Sequence, residues 1–375
     1  IYRHYDEFKI LKRLDPFKSA KAHEILSYLI SNSEIFKKFL KSVKAKYEAD
    51  FDEELMRNAI VKHPKDQMEH YKIDMLSGPF DADKLDYLFR DGHFSGLPLQ
   101  IDLDRLWYSL DVSKVGESRR LTIDWGGIST LEQILFSKMT LYPTVYQHHK
   151  VRTCDCMFKG IIEYIMEKGV PLRKSGIEID FSKAVHFLYF TDPEIFGMHG
   201  LAQKEKDTDL HNLMHNLQYR RLLKRAVVIS RDTIIREDIN KLENFSKYSE
   251  ERVEIDGIDY YRWIAKRIWE EAGKPGLKQE LWVDCPKDPN FDETSDTWIS
   301  PLGEGQESIA YSEFNQTGQY ANQYKFKKWR AHVFCRPEDR ERVADACIKV
   351  FKELYDIKFK PIAFHLCHMN PPKSL

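Results

Sequence analysis

Three side chains spaced by four residues give the sequence its clearest chemical content. Asp83, Tyr87 and Asp91 lie within the run Asp81-Ala82-Asp83-Lys84-Leu85-Asp86-Tyr87-Leu88-Phe89-Arg90-Asp91, and on a helix this spacing puts all three on one face. Two carboxylates and a phenol in one stripe are costly to bury alone; a metal ion or a bound sugar would supply the missing partners. The same spacing also suits a solvated helix face with incidental salt bridges.

Two further groups of histidines invite the same question. His211 and His215 stand four apart, as zinc ligands on a helix can, but no Glu accompanies them in an HExxH pattern, so a polar helix face serves equally well. His148-His149 is another such pair. The six cysteines, Cys154, Cys156, Cys285, Cys335, Cys347 and Cys367, form no paired CxxC motifs and read as reduced thiols, most of them packed in the core.

The elements that would hold these residues follow from periodicity. Apolar residues recur at three- and four-residue steps over 20–46, predicting a helix there, with shorter helices over 53–60 and 68–75. Asp81 is placed to cap a helix running to about Asp91, ended by Gly92 and Gly96-Leu97-Pro98. A short helix opens at Asp102, and Arg119 to Asp124 reads as a strand leading into Trp125-Gly126-Gly127. From Ser129 to Gly169 the pattern is one long helix, kinked at Pro143; further helices reach Tyr189 and cover 210–225. Beyond that the character changes. Strands over 226–229, 280–284 and 330–334 alternate with helices over 260–271 and from Pro337, while 286–306 reads as a long loop. The expected architecture is mainly α, a helical body over 1–225 with a smaller α+β lobe over 226–375.

Composition sets limits on function. With 58 Lys and Arg against 59 Asp and Glu, the whole chain cannot steer a polyanion, so a phosphate-bearing substrate would need locally concentrated cations. No stretch approaches the roughly 20 apolar residues that span a bilayer, and no signal sequence opens the chain, so no membrane partner and a cytoplasmic location are expected.

The string from Asp81 to Asp91, followed by Gly96 and Ile101-Asp102-Leu103-Asp104-Arg105, resembles the segment after the His-Asp pair in the HD-superfamily dNTP triphosphohydrolases. Tyr146-Gln147-His148 is similar to a Tyr-Gln-His of the same family, and Gln218 to Lys224 continues the likeness more weakly. The resemblance implies metal-dependent hydrolysis of a deoxynucleoside triphosphate to nucleoside and triphosphate. It makes Asp83 the last ligand of a divalent metal ion, Lys84 a triphosphate contact, and Tyr87 and Asp91 the readers of the sugar 3′-hydroxyl. Tyr146 and Gln147 would line the sugar and base side. Lys138 stands where the family can place a phosphate-binding arginine, and Tyr142 where a member has a histidine. His23, in His23-Glu24, resembles a histidine that can donate a proton to the leaving group. A homo-oligomer is implied.

The sequence contains no His-Asp dipeptide, so the pair that such a site needs is missing. A related HD phosphodiesterase or nuclease, or a metal-less nucleotide-binding assembly subunit, are the alternative readings. Lys325-Phe326-Lys327-Lys328-Trp329-Arg330 could touch an effector nucleotide or nucleic acid, or form a solvated edge strand; His365 to His368 reads as a tail.

Overall fold

The computed structural model describes residues 10–14, 17–18, 20–171, 173–174, 177–180, 183–189, 191, 207–249, 253–287, 291, 297–303, 306–313 and 317–375. Parts of the expected loop over 286–306 and of the helical stretch reaching Tyr189 therefore lie outside the described residues. The chain is mainly helical with a smaller sheet-containing region. Its compact units are interleaved along the sequence: one comprises 1–141, 172–194 and 290–321, the other 142–171, 195–289 and 322–375. The expected single boundary at 225/226 is not where they part.

In the first unit the helices are α1 (Ala22–Ser31), α2 (Glu34–Tyr47), α3 (Glu53–Ile60), α4 (His70–Ser77), α5 (Ala82–Ser95), α6 (Leu103–Ser109) and α7 (Ile128–Leu141). The expected single helix over 20–46 is two, because Ser33 turns extended and its hydroxyl accepts the Phe36 amide to start α2 afresh. Asp52, Asp81 and Asp102 cap α3, α5 and α6 in the same way. Strands β1 (Leu110–Val115) and β2 (Ser118–Ile123) form an antiparallel hairpin. The expected loop over 286–306 contains a strand that sequence reading missed: Trp298–Ile299 pairs parallel with β2 and antiparallel with Ile309–Ala310. Two residues are too short a run for period-two alternation to show. Ile299 is nonetheless fully buried, in a core with Leu85, Leu88, Leu106, Ile123 and Ile134. Asp74 fastens α4 to this sheet, its carboxylate accepting two bonds from the Arg120 guanidinium (2.7 and 2.9 Å) and one from the Leu121 amide (3.0 Å).

The second unit holds α8 (His149–Lys168), α9 (Thr208–Gln218), β3 (Lys224–Ile229), α10 (Lys241–Ser246), α11 (Tyr260–Glu271), β4 (Trp282–Asp284), the last turns of α12 (Thr317–Lys328), β5 (Ala331–Cys335), α13 (Arg340–Tyr355) and α14 (Ile362–His365). The helix expected over 210–225 stops at Gln218, since Lys224 and Arg225 already belong to β3. The sheet runs β3-β5-β4, antiparallel throughout. Alternation along β5 sorts its two faces. Ala331, Val333 and Cys335 join a core with Ile264 and Ile268 of α11 and Val343, Cys347 and Phe351 of α13. Phe334 joins Cys156 and Met157 of α8, Leu223 and Trp282. His365 to His368 is not a tail: Phe364 and Cys367 are buried, and the segment is helical up to His365.

Pro143 does more than kink a helix. α7 ends at Leu141, a single π turn spans Tyr142–Tyr146, and α8 starts anew at His149. Proline has no amide to donate and its ring crowds the preceding turn, and the chain answers by widening: the Gln147 amide reaches back five residues to the Tyr142 carbonyl, 2.8 Å away.

Candidate functional site

α5 is positioned from both ends. Asp81 precedes it in extended conformation, its carboxylate accepting the Lys84 amide at 2.8 Å. At the other end Gly96 takes φ +72°, the left-handed cap that side chains disfavour. Gly92 does not end the helix as its type suggested. It is buried inside α5, where a Cβ would come within 2.8 Å of Leu99 Cδ1, so it serves close packing. Leu85 and Leu88 lie in the first unit's core, which fixes the rotation of α5 and leaves the stripe of Asp83, Tyr87 and Asp91 off the buried face.

Along that stripe the environments differ. Asp83 is exposed, whereas Tyr87 and Asp91 are half-buried, and the Tyr87 ring packs on the core. Beside the stripe, Asp86 and Arg90 form an exposed two-pronged pair at 2.8 and 3.0 Å, and the arginine's hydrogen bond holds the Asp86 carboxyl below the usual aspartate range. Lys84 does not extend into solvent. Its ammonium donates to the Asp81 carboxylate (2.5 Å) and to the Gly78 carbonyl (2.8 Å), so a phosphate contact from this side chain would compete with a largely buried ion pair.

The remaining predicted residues are spread over other elements. Lys138 is buried on α7, the helix that packs on α5; a buried ammonium is tolerated only where it is compensated. His23 is exposed on the first turn of α1. Its neighbour Glu24 accepts the Lys21 amide at 2.6 Å and meets Lys62 at 3.4 Å, so the His-Glu pair sits at a helix start. Tyr142, Tyr146 and Gln147 fall in the second unit. The two tyrosine rings meet edge to face at 5.2 Å, and the Gln147 amide donates to the Lys287 carbonyl at 3.1 Å.

A divalent ion does not fit this donor set. Among the described residues no three His, Cys, Asp or Glu side chains come together as a metal site. His211 and His215 stack at 5.9 Å along α9, and His148 and His149 lie at 4.4 Å. Asp83 is the one candidate ligand from the expected HD set.

The second unit also contains a cavity of about 250 Å³ whose importance the sequence concealed. Gln147, His148, His149, Arg225, Lys328, Arg330 and His332 line it, with Pro143, Thr144 and Tyr324. Lys325 to Arg330 does not form the edge strand that was one of its two readings. It is instead the end of α12 followed by a turn into β5, a strand with a neighbour on either side. Burial and the nearby Arg225 push His149 down to about 4, so its ring is neutral at physiological pH. His332, buried beneath, is held neutral chiefly by burial as well.

Residues 101–356 match the family described as the HD associated region. The chain belongs to the HD-associated-region family. The match begins just after α5 and takes in parts of both units. The HD-associated chain is also similar to two uncharacterized proteins. One, MJ1154 of Methanocaldococcus jannaschii, is 25% identical over 291 residues, 76% of this chain and 56% of that protein. The other, YwfO of Bacillus subtilis, is 27% identical over 116 residues, 31% of this chain and 25% of that protein. The HD-associated chain thus spans about half the length of the first relative and a quarter of the second.

Proposed function

We propose that the chain provides the nucleotide-holding part of an HD-type phosphohydrolase that cleaves deoxynucleoside triphosphates to nucleoside and triphosphate. The observation that carries this reading is the α5 stripe. Leu85 and Leu88 lock one face of α5 into the core, so Asp83, Tyr87 and Asp91 are held in fixed order on successive turns. Rigid presentation of a phenol and a carboxylate on neighbouring turns suits two hydrogen bonds to a sugar hydroxyl, one donated and one accepted. Membership of the HD-associated-region family supports the HD relationship, and the dNTP specificity rests on the resemblance of the 81–105 segment.

Asp83 is the one metal donor this chain would contribute, and the rest of an HD ligand set is not among the described residues. The roles assigned to the chain's own side chains are therefore binding and orientation: Tyr87 and Asp91 at the sugar, Lys84 and Lys138 offsetting phosphate charge.

The test is incubation of the protein with each dNTP and Mn²⁺ or Mg²⁺, following release of inorganic triphosphate. Tyr87→Phe and Asp91→Asn are each expected to lower kcat/KM for dNTPs by about tenfold or more, the worth of one polar contact to substrate. Nucleotide binding without triphosphate release would favour a metal-less binding subunit. Failure to bind any dNTP would remove the proposal altogether.

A further inference from the structure

Among its described residues the second unit gathers cations with no carboxylate beside them. Arg225, Lys328 and Arg330 all line the 250 Å³ cavity, and no described Asp or Glu does. Several other half-buried guanidiniums of the same unit are matched with acids: Arg152 with Asp284 at 2.6 Å, Arg262 with Glu163 at 2.9 Å, and Arg336 with Asp339 at 2.6 Å. Among the described residues, Arg225 meets only the Leu366 carbonyl, at 2.7 Å, while Lys328 lies over the Tyr324 ring at 5.5 Å and neither it nor Arg330 meets a carboxylate. Like charges drawn together in this way repel one another. Burial and that repulsion, from Arg330 and Arg340, push the Arg225 guanidinium below its ordinary range.

An independent observation points the same way. His332 is 2% exposed and lines the cavity, yet its Nδ1 is buried without a hydrogen-bond partner. A buried polar nitrogen left unmatched costs about as much as a lost hydrogen bond. The fold puts it there because β5 alternates: Ala331 and Val333 take the core face, so His332 must take the face of Phe334, towards α8. A single ligand would resolve both anomalies. An oxyanion can accept from the neutral imidazole N–H and from the guanidiniums, and its charge answers the three cations.

We infer that this cavity is a binding site for a phosphate or pyrophosphate group, held by Arg225, Lys328 and Arg330 over the imidazole of His332. The volume, a little under the roughly 300–1,000 Å³ of pockets that enclose whole small molecules, matches an inorganic anion or the phosphorylated end of a larger ligand. The site does not depend on the reading of α5, which lies in the other unit.

Calorimetric titration of the full chain with inorganic phosphate, pyrophosphate and ribose 5-phosphate, at constant ionic strength held with sodium chloride, tests it. Saturable binding of at least one of the three is expected. Lys328→Gln and Arg330→Gln, both at exposed positions, should each weaken it by about tenfold while leaving the thermal unfolding midpoint unchanged. Tightest binding of an inorganic anion would identify a free ion as the ligand, and tightest binding of ribose 5-phosphate a terminal phosphoryl group. In parallel, the His332 ring resonances should shift on addition of the anion to the parent chain. No saturable binding of any of the three, or affinities that both variants keep within twofold, overturns the inference.

Discussion

At the scale of single residues, Asp81 carries more than any residue in the stripe that follows it. It caps α5 through the Lys84 amide and neutralises the Lys84 ammonium, and it is itself buried. Replacing it with alanine removes the cap and strands a largely buried cation, so Asp81→Ala is expected to cost roughly 1–3 kcal/mol of stability, read as a lowered urea midpoint. Asp81→Asn separates the two roles, because asparagine caps a helix about as well as aspartate but brings no charge. The asparagine variant should lose less stability than the alanine one. Equal losses would mean that the cap adds nothing and the ion pair is all that matters.

At the scale of elements, the α8 contact with the 3₁₀ turn Lys278–Glu280 shows how close approach overrides propensity. Gly160 lies buried within α8, and a Cβ there would stand 2.7 Å from the Gln279 carbonyl oxygen. Glycine to alanine inside a helix ordinarily gains about 1 kcal/mol. Here the obstacle is backbone, which cannot swing aside as a side chain can, and overpacking typically costs about 1–3 kcal/mol. Gly160→Ala is accordingly expected to destabilise by about 1 kcal/mol, and a raised midpoint in thermal or urea unfolding would show that the turn moves freely. The π turn at Tyr142–Tyr146 belongs to the same scale. Pro143 signals a break, but whether the chain kinks, widens or restarts depends on what α7 and α8 each pack against.

At the scale of the whole molecule, the interleaving of the two units has a consequence for any attempt to divide the chain. A fragment of residues 226–375 follows the change of character visible in the sequence, yet it loses Lys224 and Arg225 from β3 and all of α8. Cys156 and Met157 cover Trp282 and Phe334 on one face of the β3-β5-β4 sheet. Without them that apolar face is open to solvent, and the fragment is expected to bind the dye ANS strongly and to lack a cooperative urea transition. A fragment that unfolds cooperatively with no dye binding would show that the sheet and its α11 and α13 layer suffice.

What the sequence by itself determined is the set of local elements and the face each turns inward. The period of Leu85 and Leu88 against Asp83, Tyr87 and Asp91 settles which side of α5 is buried, and Asp81 settles where it begins, because capping and amphipathicity act within a turn or two. The mainly helical class with a smaller α+β region was legible for the same reason. Tertiary structure alone decided the pairings that join distant segments. Trp298–Ile299 is a strand only because β2 offers it an edge. Arg225, Lys328, Arg330 and His332 are scattered over more than a hundred positions, and become one basic cavity because β3 and β5 pair side by side. Backbone pairing between remote strands is set by the whole fold's packing, and no short window of residues carries that information.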